Sequence, residues 1–147
     1  IPLIEALFSR SQSCGKMIVK VNWGRCYMKQ IDFDYTQATN EEWKKIIKEQ
    51  LLTAKIFEIH CWNEETAWIA YALQYGTLQK NDWQYGKIIR GQVSPEFIQM
   101  MTNLPKPQDN EVYNKMTPFF SVFLDNGFSS EHYGTELIQI YIDQSFP

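Results

Sequence analysis

Ile56-Phe57-Glu58-Ile59-His60-Cys61-Trp62-Asn63-Glu64-Glu65-Thr66-Ala67-Trp68-Ile69-Ala70-Tyr71-Ala72-Leu73-Gln74-Tyr75 is the stretch on which the fold turns. Up to Trp62 it alternates. Phe57, Ile59 and Cys61 share one face and Glu58 and His60 the other, which is the period of a strand. Asn63-Glu64-Glu65 reads as a tight polar connection. Residues 66–75 then read as a returning strand, with Ala67, Ile69, Tyr71 and Leu73 on one face and Trp68, Ala70 and Ala72 on the other. A strand that is apolar on both faces is expected to be central and covered. Gly76 to Asp82 reads as a loop, and Tyr85 to Val93 as a third strand of an antiparallel meander, with Gly86 and Gly91 allowing a bend.

On the N-terminal side of this stretch, Thr39 lies three residues before Glu42, the spacing of a capping box, with Asn40 as an alternative cap. Glu41 and Glu42 fall in the first turn, where the helix dipole favours negative charge. Trp43, Ile46, Ile47 and Leu51 form one apolar stripe, and Lys44, Lys45 and Lys48 cover the other side. Farther back, Met17 to Trp23 and Cys26 to Phe33 read as a hairpin turning at Gly24-Arg25. Residues 3–10 are expected to form a short helix, and residues 1–16 a peripheral N-terminal segment. Glu5 interrupts the apolar positions of residues 1–10, so they do not read as a signal peptide.

On the C-terminal side, Ser94-Pro95 starts a helix, with Ser as cap and Pro in the first turn. Leu104-Pro105-Lys106-Pro107 ends it. Another helix is expected from Asp109, broken by Pro118. A further one opens at Thr117-Pro118, with Phe119, Phe120, Val122, Phe123 and Leu124 as its apolar surface and Asn126-Gly127 as its left-handed stop. Glu136 to Asp143 is the last strand. The expectation is a single α+β domain over residues 1–147, with a mostly antiparallel sheet of about five to six strands and three to four helices packed on one face or end.

The chain has 147 residues, 44% of them hydrophobic and 21% charged, with a formal net charge of −3. Its pI is about 5.4 and its mean hydropathy −0.38. These values fit a globular chain, with no apolar run long enough to span a membrane. They argue against nucleic acid as a direct partner, because phosphate binding needs surplus Lys and Arg. Three cysteines, Cys14, Cys26 and Cys61, are an odd number at irregular spacing. That is no disulfide framework, and a reducing, cytoplasmic compartment is expected.

Chemistry-bearing residues are few. No Cys-x-x-Cys or His-x-x-x-His pair is present, and no metal or other cofactor is expected. His60 and Cys61 point to opposite faces and so form no dyad. Ser129-Ser130-Glu131-His132-Tyr133-Gly134 gathers hydroxyls, a carboxylate and an imidazole in one segment. Proximity in sequence does not make a triad, and a polar loop with a surface histidine is the reading favoured. Asp32 and Asp34 share a face at a strand end among polar neighbours, which suggests solvation rather than acid–base work. No glycine-rich phosphate loop exists. No catalytic residue is assigned, and the chain is not expected to be an enzyme.

Charge is distributed unevenly. Residues 1–30 carry a net +4, residues 31–43 a net −4 and residues 91–147 a net −5. A surface divided in this way can steer a basic protein partner. There are 22 aromatics: nine Phe, eight Tyr and five Trp. Trp23, Trp43, Phe57 and Phe123 sit at core positions, whereas Trp62 and Trp83 flank expected turns and suit interface anchors.

Asn40-Glu41-Glu42-Trp43, Trp68-Ile69-Ala70-Tyr71 and Val93-Ser94-Pro95-Glu96-Phe97-Ile98 give residues 35–100 a layout that resembles small bacterial immunity proteins. The family meant neutralises toxin domains in contact-dependent growth inhibition and related polymorphic toxin systems. The resemblance implies a cytoplasmic, non-enzymatic protein that binds one cognate toxin, commonly a nuclease. It carries no diagnostic motif and transfers no residue. On physical grounds Asp32, Asp34, Tyr35, Glu41 and Glu42 are the expected charged contacts, with Trp62, Glu64, Glu65 and Trp83 as a second edge. The alternative is a small-ligand-binding protein or enzyme with an aromatic pocket that takes in His60 or His132. An adaptor or phage-type accessory protein would read the same way.

Overall fold

The computed structural model describes residues 19–21, 24–109 and 111–143. The capping box forms as its spacing requires. The Glu42 amide donates to Thr39 Oγ1 at 3.2 Å, and the Thr39 amide donates to Glu42 Oε2 at 3.3 Å. Helix α1 (Asn40–Leu51) follows and buries Trp43, Ile47 and Leu51 along one stripe. Ser94 Oγ likewise accepts the Phe97 amide at 3.1 Å and opens α3 (Pro95–Asn103).

The strands are β1 (Val19–Val21), β2 (Gly24–Gln30), β3 (Ile56–Trp62), β4 (Thr77–Gln79), β5 (Gly86–Gln92), β6 (Ser121–Leu124), β7 (Phe128–Glu131) and β8 (Glu136–Asp143). They make one eight-stranded sheet in the order β1-β2-β8-β7-β6-β3-β5-β4. Every pairing is antiparallel. The α+β architecture with an antiparallel sheet is therefore as expected. The sheet is wider than the five to six strands foreseen, and the described residues hold three helices.

The core lies on one face of the sheet. Phe57, Ile59 and Cys61 of β3, Ile89 of β5, Val122 and Leu124 of β6, Phe128 of β7 and Leu137 of β8 meet α1, α3 and the intervening helix α2 (Thr66–Ala72) there. Phe57 and Phe97 stack at 3.9 Å and 8°. Trp43 Nε1 donates to Ser130 Oγ at 3.4 Å, so the buried indole N–H is satisfied.

Several expectations need correction. Residues 66–72 are α2, not a strand, and β3 pairs directly with β5. Trp68, Ala72 and Tyr75 recur at helical spacing, and in a short helix that pattern also looks apolar on both sides. Thr77–Gln79, inside the expected loop, is edge strand β4. Residues 119–124 form no helix. Ser121–Leu124 is β6, buried at all four positions because β3 and β7 flank it and both faces are covered. Gly127 is left-handed (φ 88°), but in the β6–β7 turn rather than at a helix end. Among the described residues no helix follows Asp109 before β6. Ser129–Glu131 belongs to β7, with only residues 132–135 as the turn into β8. Gly24 and Arg25 are no turn; they pair with Val21 and Lys20. The expected helix at residues 3–10, core Trp23 and Cys14 lie outside the described residues. No helix among the described residues is long and apolar enough to cross a membrane.

Candidate functional site

Two regions gather the residues singled out from sequence. The first is a surface groove of about 550 Å³ between the β2–α1 connection and α1. It is lined by Asp32, Phe33, Asp34, Gln37, Ala38, Glu42, Lys45, Ile46 and Glu49. The groove brings Asp32, Asp34 and Glu42 together and adds Glu49, with Lys45 as the one lining cation among the described residues. Lys45, Ile46 and Glu49 follow Glu42 at helical spacing, so the repeat of α1 could have pointed to them.

Asp34 also shapes the connection. Its Oδ1 accepts the Thr36 hydroxyl at 2.6 Å and the Thr36 amide at 3.0 Å. Those two bonds hold its carboxyl below the ordinary carboxylate range. Asp34 is thus a fixed anion at the surface and not an acid awaiting a proton. Tyr35 is exposed beside it, and its carbonyl accepts from Asn114 Nδ2 at 2.8 Å. Glu41 points away into solvent and pairs with Lys44 at 3.6 Å.

The second region lies at the end of β3. Trp62 and Trp83 are in contact, ring centres 5.0 Å apart. Trp83 lies flat on Gly86, where a Cβ would meet its ring at 2.1 Å, so only glycine fits under the indole. Trp62 continues to Phe120 at 4.9 Å, Phe120 to His132 at 5.7 Å, and His132 to Tyr113 at 5.9 Å. Glu64 is exposed in the turn. Glu65 is committed: Oε1 accepts the Trp62 amide at 2.8 Å and Oε2 accepts the Tyr133 hydroxyl at 3.0 Å. It fixes the turn, with one hydrogen bond on each oxygen. Phe120, His132 and Tyr113 join the region through tertiary packing, which no sequence spacing signals.

The turn into β8 carries an unusual backbone. His132 and Tyr133 are both left-handed, at φ 52° and 61°, and Gly134 follows at 84°. Each of the first two costs about 1–2 kcal/mol relative to an ordinary conformation. Tyr133 is held there by its amide donating to the Phe120 carbonyl at 2.9 Å and its carbonyl accepting the Met116 amide at 2.8 Å. Burial and the Glu65 charge push its phenol pKa up. Ser129 Oγ donates to Glu131 Oε2 at 2.9 Å, while His132 Nδ1 pairs with Glu136 Oε2 at 3.1 Å. The hydroxyl and the imidazole of this segment are therefore not joined in a relay. Burial pushes the Glu131 carboxyl up, and its cross-strand partner Glu136 adds to this.

Behind this region, on the sheet face opposite the three helices, lies a buried ionic group. Glu58 and His60 are only 5% and 8% exposed. Glu58 Oε1 lies 2.7 Å from His60 Nε2, and Oε2 accepts Arg90 Nη2 at 2.7 Å and Nε at 3.1 Å. Burial drives the Glu58 carboxyl up, but the bonds from His60 and Arg90 outweigh it and hold the group below its ordinary range. On the core face Cys61 is sealed, and burial followed by the Glu65 charge pushes its thiol up to about 12, which makes it inert. No group of three His, Cys, Asp or Glu among the described residues is placed to hold a metal ion.

Compared with protein-family models, with curated proteins and with solved structures, the chain matches none.

Proposed function

We propose that this chain is an immunity protein: a cytoplasmic, non-enzymatic binder that neutralises a cognate toxin domain by covering its working surface. The observation that supports this best is the groove at α1, lined by Asp32, Asp34, Glu42 and Glu49 together with Lys45. Carboxylates lining a concave surface draw in a basic protein and set its orientation. A nuclease domain, basic because it must hold phosphates, is the partner class that fits. The test is capture of the product of a neighbouring gene with nanomolar affinity, together with rescue of cells that express it. Reversing Asp32 and Asp34 to Lys should abolish both capture and rescue. A chain that captures no toxic domain and rescues no cell would end this reading.

A second reading draws on the Glu58–His60–Arg90 group, whose His60 ring sits against the rings of Trp83 and Phe123. Charged side chains are costly to bury, and sites that handle small polar ligands are one place where the cost is offset. This favours a small-ligand binder or enzyme. A ligand whose affinity collapses in His60→Gln, with the fold intact, would establish it in place of the first.

A further inference from the structure

We propose that the aromatic series Trp83–Trp62–Phe120–His132–Tyr113, with the facing carboxylates Glu131 and Glu136, is an anchoring surface for arginine side chains of a basic protein partner. This rests on the reading of the chain as a binder of such a partner, and it assigns that partner a second contact away from the α1 groove.

The rings come first. Five aromatics from four separate segments touch in series, with centre-to-centre steps of 5.0, 4.9, 5.7 and 5.9 Å. All five are half-buried. A core would enclose them and an ordinary surface would scatter them. A continuous, partly wetted series is what a protein contact surface presents.

The carboxylates come second. Glu131 and Glu136 are direct register partners across β7 and β8. Like charges at such positions repel and destabilise a sheet. His132 pairs with Glu136, and both of these side chains remain open to solvent, at 42% and 37%. A cation brought from outside would relieve the repulsion.

The choice of cation comes third. Tyr133, a buried neighbour of Phe120 and Tyr113, already seats a cation: Lys115 Nζ lies 4.1 Å from the centre of its ring, paired with Asp109 at 3.0 Å. Ring faces here therefore accept positive charge. A guanidinium suits the remaining surface better than an ammonium. It is planar, so it stacks on a ring while its N–H fork donates to a carboxylate. A nucleic acid backbone would be repelled by the same carboxylates.

The experiment titrates the full chain with two blocked pentapeptides, acetyl-Gly-Arg-Gly-Arg-Gly-amide and its lysine counterpart. Heat of binding and the Trp62 indole N–H resonance are followed. The arginine peptide should bind saturably, several-fold tighter than the lysine peptide, and shift the Trp62 signal. Glu131→Gln with Glu136→Gln, which keeps side-chain shape, should weaken it about tenfold, and Phe120→Leu should weaken it as well. Unfolding curves of each variant check that the fold is kept. Absence of saturable binding, equal affinity for the two peptides, or unchanged affinity in the double variant would overturn the proposal. The two readings fail separately. Arginine-peptide binding by a chain that captures no toxin would remove the immunity reading and keep this surface. A captured toxin that responds to reversal at Asp32 and Asp34, but not to E131Q/E136Q or F120L, would do the opposite.

Discussion

His60 Nε2 lies 2.7 Å from Glu58 Oε1, two residues away on the same face of β3, and Arg90 closes on the other carboxylate oxygen from β5 at 2.7 Å. The arrangement puts an ionic group across β3 and β5, the two strands nearest edge strand β4, where one change of charge is felt by both.

The first prediction concerns pH. Glu58 is held below its ordinary value near 4.5, so the stability it contributes is complete above that value and is lost as pH falls through the folded pKa. Glu131 is held above the same ordinary value, so its cost is absent below about 4.5 and grows as pH rises through its folded pKa. Urea unfolding followed from about pH 3 to about pH 8 should separate the two. Glu58→Gln should lose about 2–3 kcal/mol near neutrality, since the buried carboxylate that holds both His60 and Arg90 loses its charge, and should flatten the acid limb. Glu131→Gln should be more stable than the parent near neutrality and lose that advantage in acid. The reverse order would show that the two carboxyls have been assigned wrongly.

The second concerns the indole over Gly86. A Cβ there would meet the Trp83 ring at 2.1 Å, so Gly86→Ala should displace the ring and cost about 1–3 kcal/mol. The difference in tryptophan emission between parent and Trp83→Phe identifies the Trp83 signal. That signal should move to longer wavelength in Gly86→Ala. An unshifted spectrum with unchanged stability would contradict the packing described.

The third concerns the caps. Thr39→Ala removes one side of the α1 capping box, and Ser94→Ala removes the cap of α3. Each should lower unfolding free energy by about 1 kcal/mol, and because the two caps share no hydrogen-bond partner their effects should add. Thermal unfolding of the two single variants and the double variant provides the check.

The fourth concerns the acidic groove. If Asp32, Asp34, Glu42 and Glu49 draw in a basic partner, association should slow steeply as salt is raised, while dissociation changes little. Asp32→Asn with Asp34→Asn should reduce the on-rate by about tenfold at low salt and much less at high salt. Stopped-flow mixing with the captured partner measures both rates. An on-rate indifferent to salt would remove the groove from recognition.

The sequence signalled structure well where local chemistry is decisive. Thr39 with Glu42, Ser94 with Pro95 and the alternation of residues 56–62 each have one low-energy solution, and the structure adopts it. It misled where an apolar run fits two periods. Residues 66–72 have no side-chain cap at Glu65 to announce a helix, so the alternation of Ala67, Ile69 and Tyr71 read as strand. Phe119 to Leu124 read as a helix because Pro118 can start one. What made Ser121–Leu124 a strand was the presence of β3 and β7 on either side, a matter of topology alone. The same division holds for the candidate sites. Asp32, Asp34 and Glu42 are near in sequence and were legible, whereas Phe120, His132 and Tyr113 reach Trp62 only after the chain has folded.

β3 and β5 are immediate neighbours in the sheet, yet residues 63–85 intervene, where a two-residue turn would suffice. This excursion holds α2, β4, Glu64, Glu65 and Trp83, and it leaves from Trp62 and returns to Gly86, which are register partners in the β3–β5 ladder. Lengthening such a detour costs little closure entropy. Length can therefore be added most cheaply where the excursion is exposed and irregular, at Lys80 to Asp82, whereas α2, β4 and Glu65 are tied into the core, the sheet and the turn.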